Sequence, residues 1–287
     1  MLGPLAGILF DGFAYGMLLF LLSVGLSVTL GMMNFINLAH CSFGMLGGYV
    51  TVTVMERFGW PYLVSLAAAF VVAAAVSVVL ERLLFRRMYR ASDLDQCLVT
   101  IGIVFMSVAA AAYLAGTMQQ SVELPDWLRG SVSALGVHFG VYRLFLVGTA
   151  LLIAFVLLAG LEWTRFGAQV RAAVDNQRMA RGLGLDVDRA FSLTFALGSG
   201  LAGLGGALAA GMVGLDPSFA LAYLVFVLIV VSVGGLASIG GSFAAATLLG
   251  ISDIAGKYYV PQLGSFLIYL VMVGLLIWRP AGLFGRR

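Results

Sequence analysis

From Leu2 to Val54 the chain carries a single formal charge, Asp11. Further uncharged runs recur along the sequence, and several reach the roughly 20 residues that a helix needs to cross the hydrocarbon core of a bilayer. Charged residues make up only 10% of the chain and mean hydropathy is +1.06, whereas soluble domains devote about a quarter of their residues to charge. The expected fold is all-α, a polytopic transmembrane helical bundle. At 287 residues it fills one membrane domain, 1–287, with no room for a separate soluble one. The start, "MLGPLAGILFDGFAYGM", lacks the basic opening and small-residue cleavage site of a signal peptide. It reads as a retained span running to about Leu30.

Charge placement sets the topology. Arg82, Arg86, Arg87 and Arg90 form one cluster, the stretch from Glu162 to Arg189 holds five more arginines, and Arg279, Arg286 and Arg287 close the chain. By the positive-inside rule all three segments are cytoplasmic. The connections bearing Glu56, Glu123, Asp126 and Asp216 face outward. Spans are expected at about 62–81, 97–116, 142–161, 190–211, 219–234, 241–256 and 262–278, with 5–55 left for the first ones. The total is eight or nine, depending on whether 219–256 holds two full crossings or a broken pair. A multi-pass membrane protein, in contact with lipid and with no nucleic-acid partner, follows.

Covalent chemistry finds little support. His40 and His138 are the only histidines, and no HExxH or CxxC pattern occurs. No metal site is expected, and Cys41 and Cys97 read as small apolar side chains rather than a disulfide. "GSGLAG", Gly198 to Gly203, matches a dinucleotide fingerprint, but that motif needs a preceding strand and this copy lies inside an apolar run. Small residues at Gly198, Ala202, Gly206 and Ala210, and at Gly203, Ala207 and Gly211, instead make ridges for close helix packing. "GISDIAGK", Gly250 to Lys257, has five residues between its glycines and Tyr258 after the lysine, so it is no phosphate loop.

Polar residues inside the apolar runs are the candidates for a solute pathway. Asn34, Asn37, His40 and Ser42 cluster in "GMMNFINLAHCSFGMLGGYV", and on a helix Asn34, Asn37 and Cys41 share a face. Unpaired polar groups in hydrocarbon cost several kcal/mol, so this face either bonds to neighbouring helices or lines a pathway. Gly234, Gly235, Gly240 and Gly241 in "SVGGLASIGGS" mark either a helix break near the pathway or cytoplasmic rim, or a tight turn. Asp253 and Lys257 neutralise one another at i and i+4, and Asp11 sits near the outer interface.

The stretch "TRFGAQVRAAVDNQRMARGLGLDVDR", Thr164 to Arg189, lies within a segment from Glu162 that holds nine of the 29 charged residues. At about 2.5–3.5 kcal/mol per charge at mid-bilayer it cannot enter the membrane. "AQVRAAVDNQRMARGLG" reads as one short helix with Ala168, Ala172, Asp175, Met179 and Leu183 on a stripe. Gly182 and Gly184 end it, and Asp188 caps the next span. Such a segment either docks on a partner or is a solvated loop that fixes topology.

The same stretch, extended to Leu208, resembles the signature of the branched-chain amino-acid type of ABC transporter permease, specifically the shorter "H"-type subunit of the high-affinity leucine/isoleucine/valine systems. "GLSVTLGMMNFINLAHCSFGMLGGY" (Gly25 to Tyr49), "VVSVGGLASIGGSFAAATLLGI" (Val230 to Ile251) and "RPAGLFG" (Arg279 to Gly285) resemble it too, in the family's order. The resemblance implies a non-enzymatic subunit that pairs with a second, related permease. It also implies two cytoplasmic ATPase subunits that bind ATP and Mg, and a periplasmic or lipid-anchored solute-binding protein. It makes about 164–189 the coupling element, carried by Arg165, Arg171, Ala172, Asp175, Met179, Ala180 and Gly184. Many members have a lysine and a proline where this chain has Phe226 and Gly240. The expected cargo is therefore a branched-chain or other hydrophobic amino acid, with amides, urea or another small polar solute as the alternative. A stand-alone secondary transporter or channel is the rival from another class.

Overall fold

A computed structural model describes residues 2–33, 35–89, 91–134, 137–235 and 238–284. The sequence candidates Asn34, Arg90, Arg286 and Arg287 lie outside the described residues, as does the side chain of Asp175. The fold is an all-α bundle: α1 (Leu2–Met33), α2 (His40–Phe58), α3 (Tyr62–Leu80), α4 (Arg86–Met88), α5 (Asp93–Ala115), α6 (Val141–Trp163), α7 (Arg165–Asp175), α8 (Gln177–Gly182), α9 (Val187–Met212), α10 (Phe219–Gly234), α11 (Ile239–Tyr259) and α12 (Gly264–Trp278). A π-helical turn, Glu81–Phe85, joins α3 to α4 without a break. Among the described residues six helical segments are long and apolar enough to cross a membrane: Leu5–Gly31, Tyr62–Met88, Asp93–Ala115, Val141–Trp163, Val187–Met212 and Ile239–Tyr259. Phe219–Gly234 and Phe266–Trp278 are shorter apolar helices.

Two helices form the buried centre. α1 and α9 are enclosed along most of their length, whereas α5 and α6 expose most of theirs. Glycine makes the centre possible, and the small-residue ridges of α9 lie where the sequence pattern puts them. A Cβ at Gly25 of α1 would fall inside the Gly198 carbonyl of α9. Gly47 of α2 stands in the same relation to Gly203, and a Cβ at Gly206 of α9 would fall inside the Gly44 carbonyl of α2. Backbones this close gain dispersion along the whole crossing, the main attraction left to helices that have already exchanged water for lipid. α11 crosses α1 likewise, with Gly12 against Ile251 and Gly16 against Ala246.

Polar pairs lock the flanks. Tyr142 of α6 donates to the Leu208 carbonyl of α9 at 2.6 Å and lies 3.0 Å from the Tyr62 hydroxyl of α3. All three groups are buried, so Tyr142→Phe leaves a carbonyl and a hydroxyl short of a partner. It is expected to lower stability by about 1–3 kcal/mol, read from unfolding in detergent.

The two ends of the bundle differ. At one, Asp11 is ion-paired with Arg143 and Phe10 packs edge-on against Phe139 at 4.8 Å. The connection expected as a loop at 117–141 holds a 3-10 turn, Asp126–Leu128. It also holds a two-stranded antiparallel hairpin, β1 (Ser131–Ala134) with β2 (Val137–Gly140). Asp253 is buried, and its partner Lys257, 2.6 Å away, lies over the Tyr15 ring, so the expected neutral pair exists.

At the other end are α7, α8, the start of α9, the π-helical turn and α4. Here the single charged helix expected from the sequence is two helices. Asn176 adopts extended backbone (φ −156°, ψ 95°) and its Oδ1 accepts the Met179 N–H at 3.0 Å. A short polar side chain that bonds nearby backbone competes with the helix and starts a new one. The break dissolves the predicted stripe. Val170, Ala173 and Ala180 are the buried residues, while Met179 and Leu183 are exposed. The cap of α9 is likewise Asp186, which accepts from the Arg189 N–H at 3.0 Å, and not Asp188. Gly184 does sit in the left-handed region (φ 81°) just past α8.

Candidate functional site

Three linked features occupy the α7–α8 end. The first is the outward face of the two short helices. Thr164 caps α7 by accepting the Gly167 N–H at 3.1 Å, and Arg171 donates to the Leu161 carbonyl at the end of α6. Gly167 has no room for a Cβ against the same carbonyl. The pair is therefore fixed to the bundle through its inner face. Its outer face presents apolar side chains to solvent: Met179 is 68% exposed and Leu183 81%. Arg165 is exposed and Ala172 half-buried. Water-facing methionine and leucine beside arginines make a surface suited to a protein partner.

The second feature joins these helices to the transmembrane segments. Asp188 of α9 pairs with both Arg86 of α4 and Arg181 of α8. Behind it Glu81 is buried, accepting from the Ser192 hydroxyl at 2.7 Å and from Tyr89 at 3.0 Å. Burial first, then the Glu81 charge, raises the Tyr89 phenol above its usual pKa. An apolar cluster runs alongside, in which Ala173 and Ala180 pack with Phe85 of the π-helical turn, Phe191 and Phe195 of α9, and Met33 and Phe35 at the end of α1. Single π-helical turns recur at functional sites.

The third feature begins where that cluster ends. Residues 35–39 are not helical, and α2 starts at His40. The helical face predicted to carry Asn37 and Cys41 together therefore does not form. The segment climbs back into the bundle, so that the His40 imidazole contacts the Leu22 carbonyl of α1 at 3.1 Å. Irregular backbone at this depth must find partners in the protein. Gln96 of α5 supplies one by accepting the Ile36 N–H at 3.0 Å. Nearby, Ser107 of α5 donates to Ser42 at 2.7 Å. Asn37, 1% exposed, has neither amide atom bonded within the described residues, and His40 Nδ1 is also unpartnered.

Asn37, His40 and Ser42 thus gather at one junction. Gly234 ends α10 and packs on Gly241, and Gly235 (φ 94°), the first residue of the α10–α11 connection, lies against Gly282. Leu283 pairs its N–H with the Val233 carbonyl there at 2.7 Å. The sequence reading missed Glu81, Gln96 and Ser107. Glu81 adjoins an arginine cluster and resembles an ordinary surface charge, while Gln96 and Ser107 reach the 36–42 segment through contacts 60 or more residues away.

The chain resembles known transport proteins throughout. A family model described as branched-chain amino acid transport system / permease component matches residues 8–276. The probable branched-chain amino acid transport permease protein LivH of Methanocaldococcus jannaschii is 29% identical, covering 94% of this chain and 90% of that protein. LivH of Escherichia coli, a high-affinity branched-chain amino acid transport system permease protein, is 24% identical over 97% and 94%. LivM of Salmonella typhimurium, of the same description, is 26% identical over 93% of this chain and 68% of its own length. Among solved structures, "PsaBC from Streptococcus pneumoniae in complex with Fab" superposes with a TM-score of 0.50 at 12% identity, covering 96% of this chain and 90% of that one, a likeness of fold. With a central pair of glycine-packed helices, a charged two-helix end and a family match across residues 8–276, the chain belongs to the permease components of branched-chain amino acid transport systems.

Proposed function

We propose that this chain is the translocating subunit of an ATP-driven importer that moves branched-chain or other hydrophobic amino acids across the bacterial inner membrane. It would work beside a second, related permease. Two cytoplasmic ATPases would drive it, and a periplasmic or lipid-anchored binding protein would load it. Hydrolysis of ATP would take place in the ATPase subunits. The relatives named above support the cargo class. The single observation that carries the mechanism is the α7–α8 pair, held by its inner face and presenting Met179 and Leu183 among exposed arginines on its outer one.

Nine crossings fit the helices: α1, α2, α3 with α4, α5, α6, α9, α10, α11 and α12. The charged end, with the basic residues of 82–87, 165–189 and 279, would face the cytosol. The hairpin and Asp11 end would face outward. In this arrangement Arg165, Arg171, Ala172, Asp175, Met179, Ala180 and Gly184 belong to the ATPase handle. Displacement of the handle would reach the pathway in two ways. The Arg181–Asp188–Arg86 bridge would pull on α4 and the π-helical turn. The apolar cluster from Ala173 and Ala180 to Phe35 would shift the 35–39 segment and its unpaired Asn37. Coupling of this kind needs an element with two arrangements that both sites bias, and a non-helical junction between two long helices suits that role. The cost of leaving the Asn37 amide unpaired, about 1–3 kcal/mol, would fall when a polar group of the passing solute met it.

Asp188→Asn separates transmission from folding. Asp188 is half-exposed, so its pairs contribute only about 0–1 kcal/mol to stability and the fold should survive. Solute-stimulated ATP hydrolysis by the assembled complex should fall severalfold while basal hydrolysis stays. Equal stimulation in the mutant would remove the bridge from the mechanism. The transport assignment itself is tested in vesicles holding this chain, its partner permease and the ATPases. ATP inside and binding protein outside should drive uptake of leucine in preference to urea or amides. Uptake by this chain alone under an ion gradient, without ATP, would overturn it.

A further inference from the structure

We infer that the arginine-lined recess between the end of α3 and the start of α9 binds the phosphate headgroup of an anionic phospholipid. The recess has a volume of about 710 Å³ and is open to its surroundings. Its charged wall comprises Arg82, Arg86 and Arg189 against Asp186 and Asp188. Both carboxylates are already committed: Asp186 pairs with Arg189 at 3.0 Å, and Asp188 with Arg86 and Arg181. Arg82 has no carboxylate partner among the described residues and is exposed. A permanently charged, unneutralised guanidinium beside two others, all beyond deprotonation at physiological pH, calls for an anion that accepts in a planar fork.

The rest of the wall selects lipid among anions. Ser192, whose hydroxyl is taken up by Glu81, and the apolar Val78 and Leu193 complete the recess, and the last two lie in apolar helices long enough to cross a bilayer. Leu193 is 53% exposed, and Leu197, one turn further along α9, is exposed as well. On α3, Val71 and Val79 are exposed on the membrane-spanning side of Arg82. Arg82 thus stands just past the uncharged run 58–80, with Arg86 and Arg189 beside it in the same recess. That is the level at which headgroup phosphates lie, with acyl chains against the exposed valines and leucines. Basic recesses between transmembrane helices at the cytoplasmic surface bind acidic headgroups on this physical ground. The recess also touches the Asp188 bridge, so an occupant would brace α4 against α9.

The test uses the full-length chain in a neutral detergent. Unfolding temperature and native mass spectra are recorded with dioleoylphosphatidylglycerol, with dioleoylphosphatidylcholine and with inorganic phosphate. Phosphatidylglycerol should raise the unfolding temperature and give a retained one-lipid adduct, while phosphatidylcholine and phosphate give neither. Arg82→Gln should weaken phosphatidylglycerol binding about tenfold or more, the scale of a lost charge-assisted pair, and Arg82→Lys should weaken it less. Equal responses to the two lipids, an unchanged response in Arg82→Gln, or stabilisation by phosphate alone would each overturn the proposal. So would loss of ATPase co-purification in Arg82→Gln with lipid binding intact, which would assign the recess to the partner protein.

Discussion

Met179→Glu is expected to release the ATPase subunits from the assembled complex and to abolish solute-stimulated ATP hydrolysis, by at least about 30-fold. The side chain stands on α8 with 68% of its surface exposed, so the substitution leaves the interior of this chain untouched. A hot-spot side chain at the centre of an interface contributes about 2 kcal/mol or more, and a buried, unpaired carboxylate in its place adds a desolvation cost. The neighbouring Ala180, 2% exposed, points the other way into the cluster with Phe191 and Phe195. The two adjacent positions should therefore fail differently. Met179→Glu should elute as a folded permease without its ATPases, read by size-exclusion and hydrolysis assays. Full hydrolysis by that variant would show that the outer face of α8 is not the docking surface.

The second large effect is expected inside the bundle. Gly206→Leu drives a side chain into the Gly44 carbonyl of α2, a backbone group that cannot rotate aside. Even extra methylenes in a core able to shift cost about 1–3 kcal/mol. Here α2 and α9 would have to separate, so the loss should exceed that range and the protein should fail to fold or aggregate. Gly148→Leu, on the exposed surface of α6 with no atom within 4 Å of its Cβ, should leave stability unchanged or raise it by up to about 1 kcal/mol through helix propensity. The same chemical change at two glycines then has opposite outcomes, measured by fluorescence-detected elution and thermal unfolding. Comparable behaviour would contradict the close-approach account of α9.

These two positions show what the sequence does and does not display. The apolar runs predict spans at 142–161 and 219–234, and the helices Val141–Trp163 and Phe219–Gly234 follow, because a bilayer demands hydrogen-bonded segments of fixed length. Small residues every fourth position on α9 likewise announce close packing, since only backbone proximity rewards them. Where local chemistry competes with the pattern, reading by period fails. Asn176 interrupts a segment whose spacing suits one helix, and residues 35–39 leave the helix that Asn34, Asn37 and Cys41 would share. Neither break changes hydropathy, so neither leaves a mark in it. Glu81 is invisible for another reason: its burial is created by Ser192 and Tyr89 meeting it in space, and a carboxylate next to arginines looks solvated in one dimension. Of the coupling candidates, the exposed Met179 and buried Ala180 become distinguishable only once the break at Asn176 resets the faces. At the position where many permeases of this type carry lysine, Phe226 stacks on Tyr269 at 6.3 Å, an apolar solution that composition alone does not announce.

In the proposed transporter α7 and α8 lie in the cytosol and are covered by the ATPase. Leu183→Cys, in a background with Cys41 and Cys97 replaced by alanine, tests it with a membrane-impermeant maleimide. The account predicts no labelling in intact cells, rapid labelling in inverted vesicles stripped of ATPase, and protection when the ATPase is restored. Labelling from outside intact cells would contradict it.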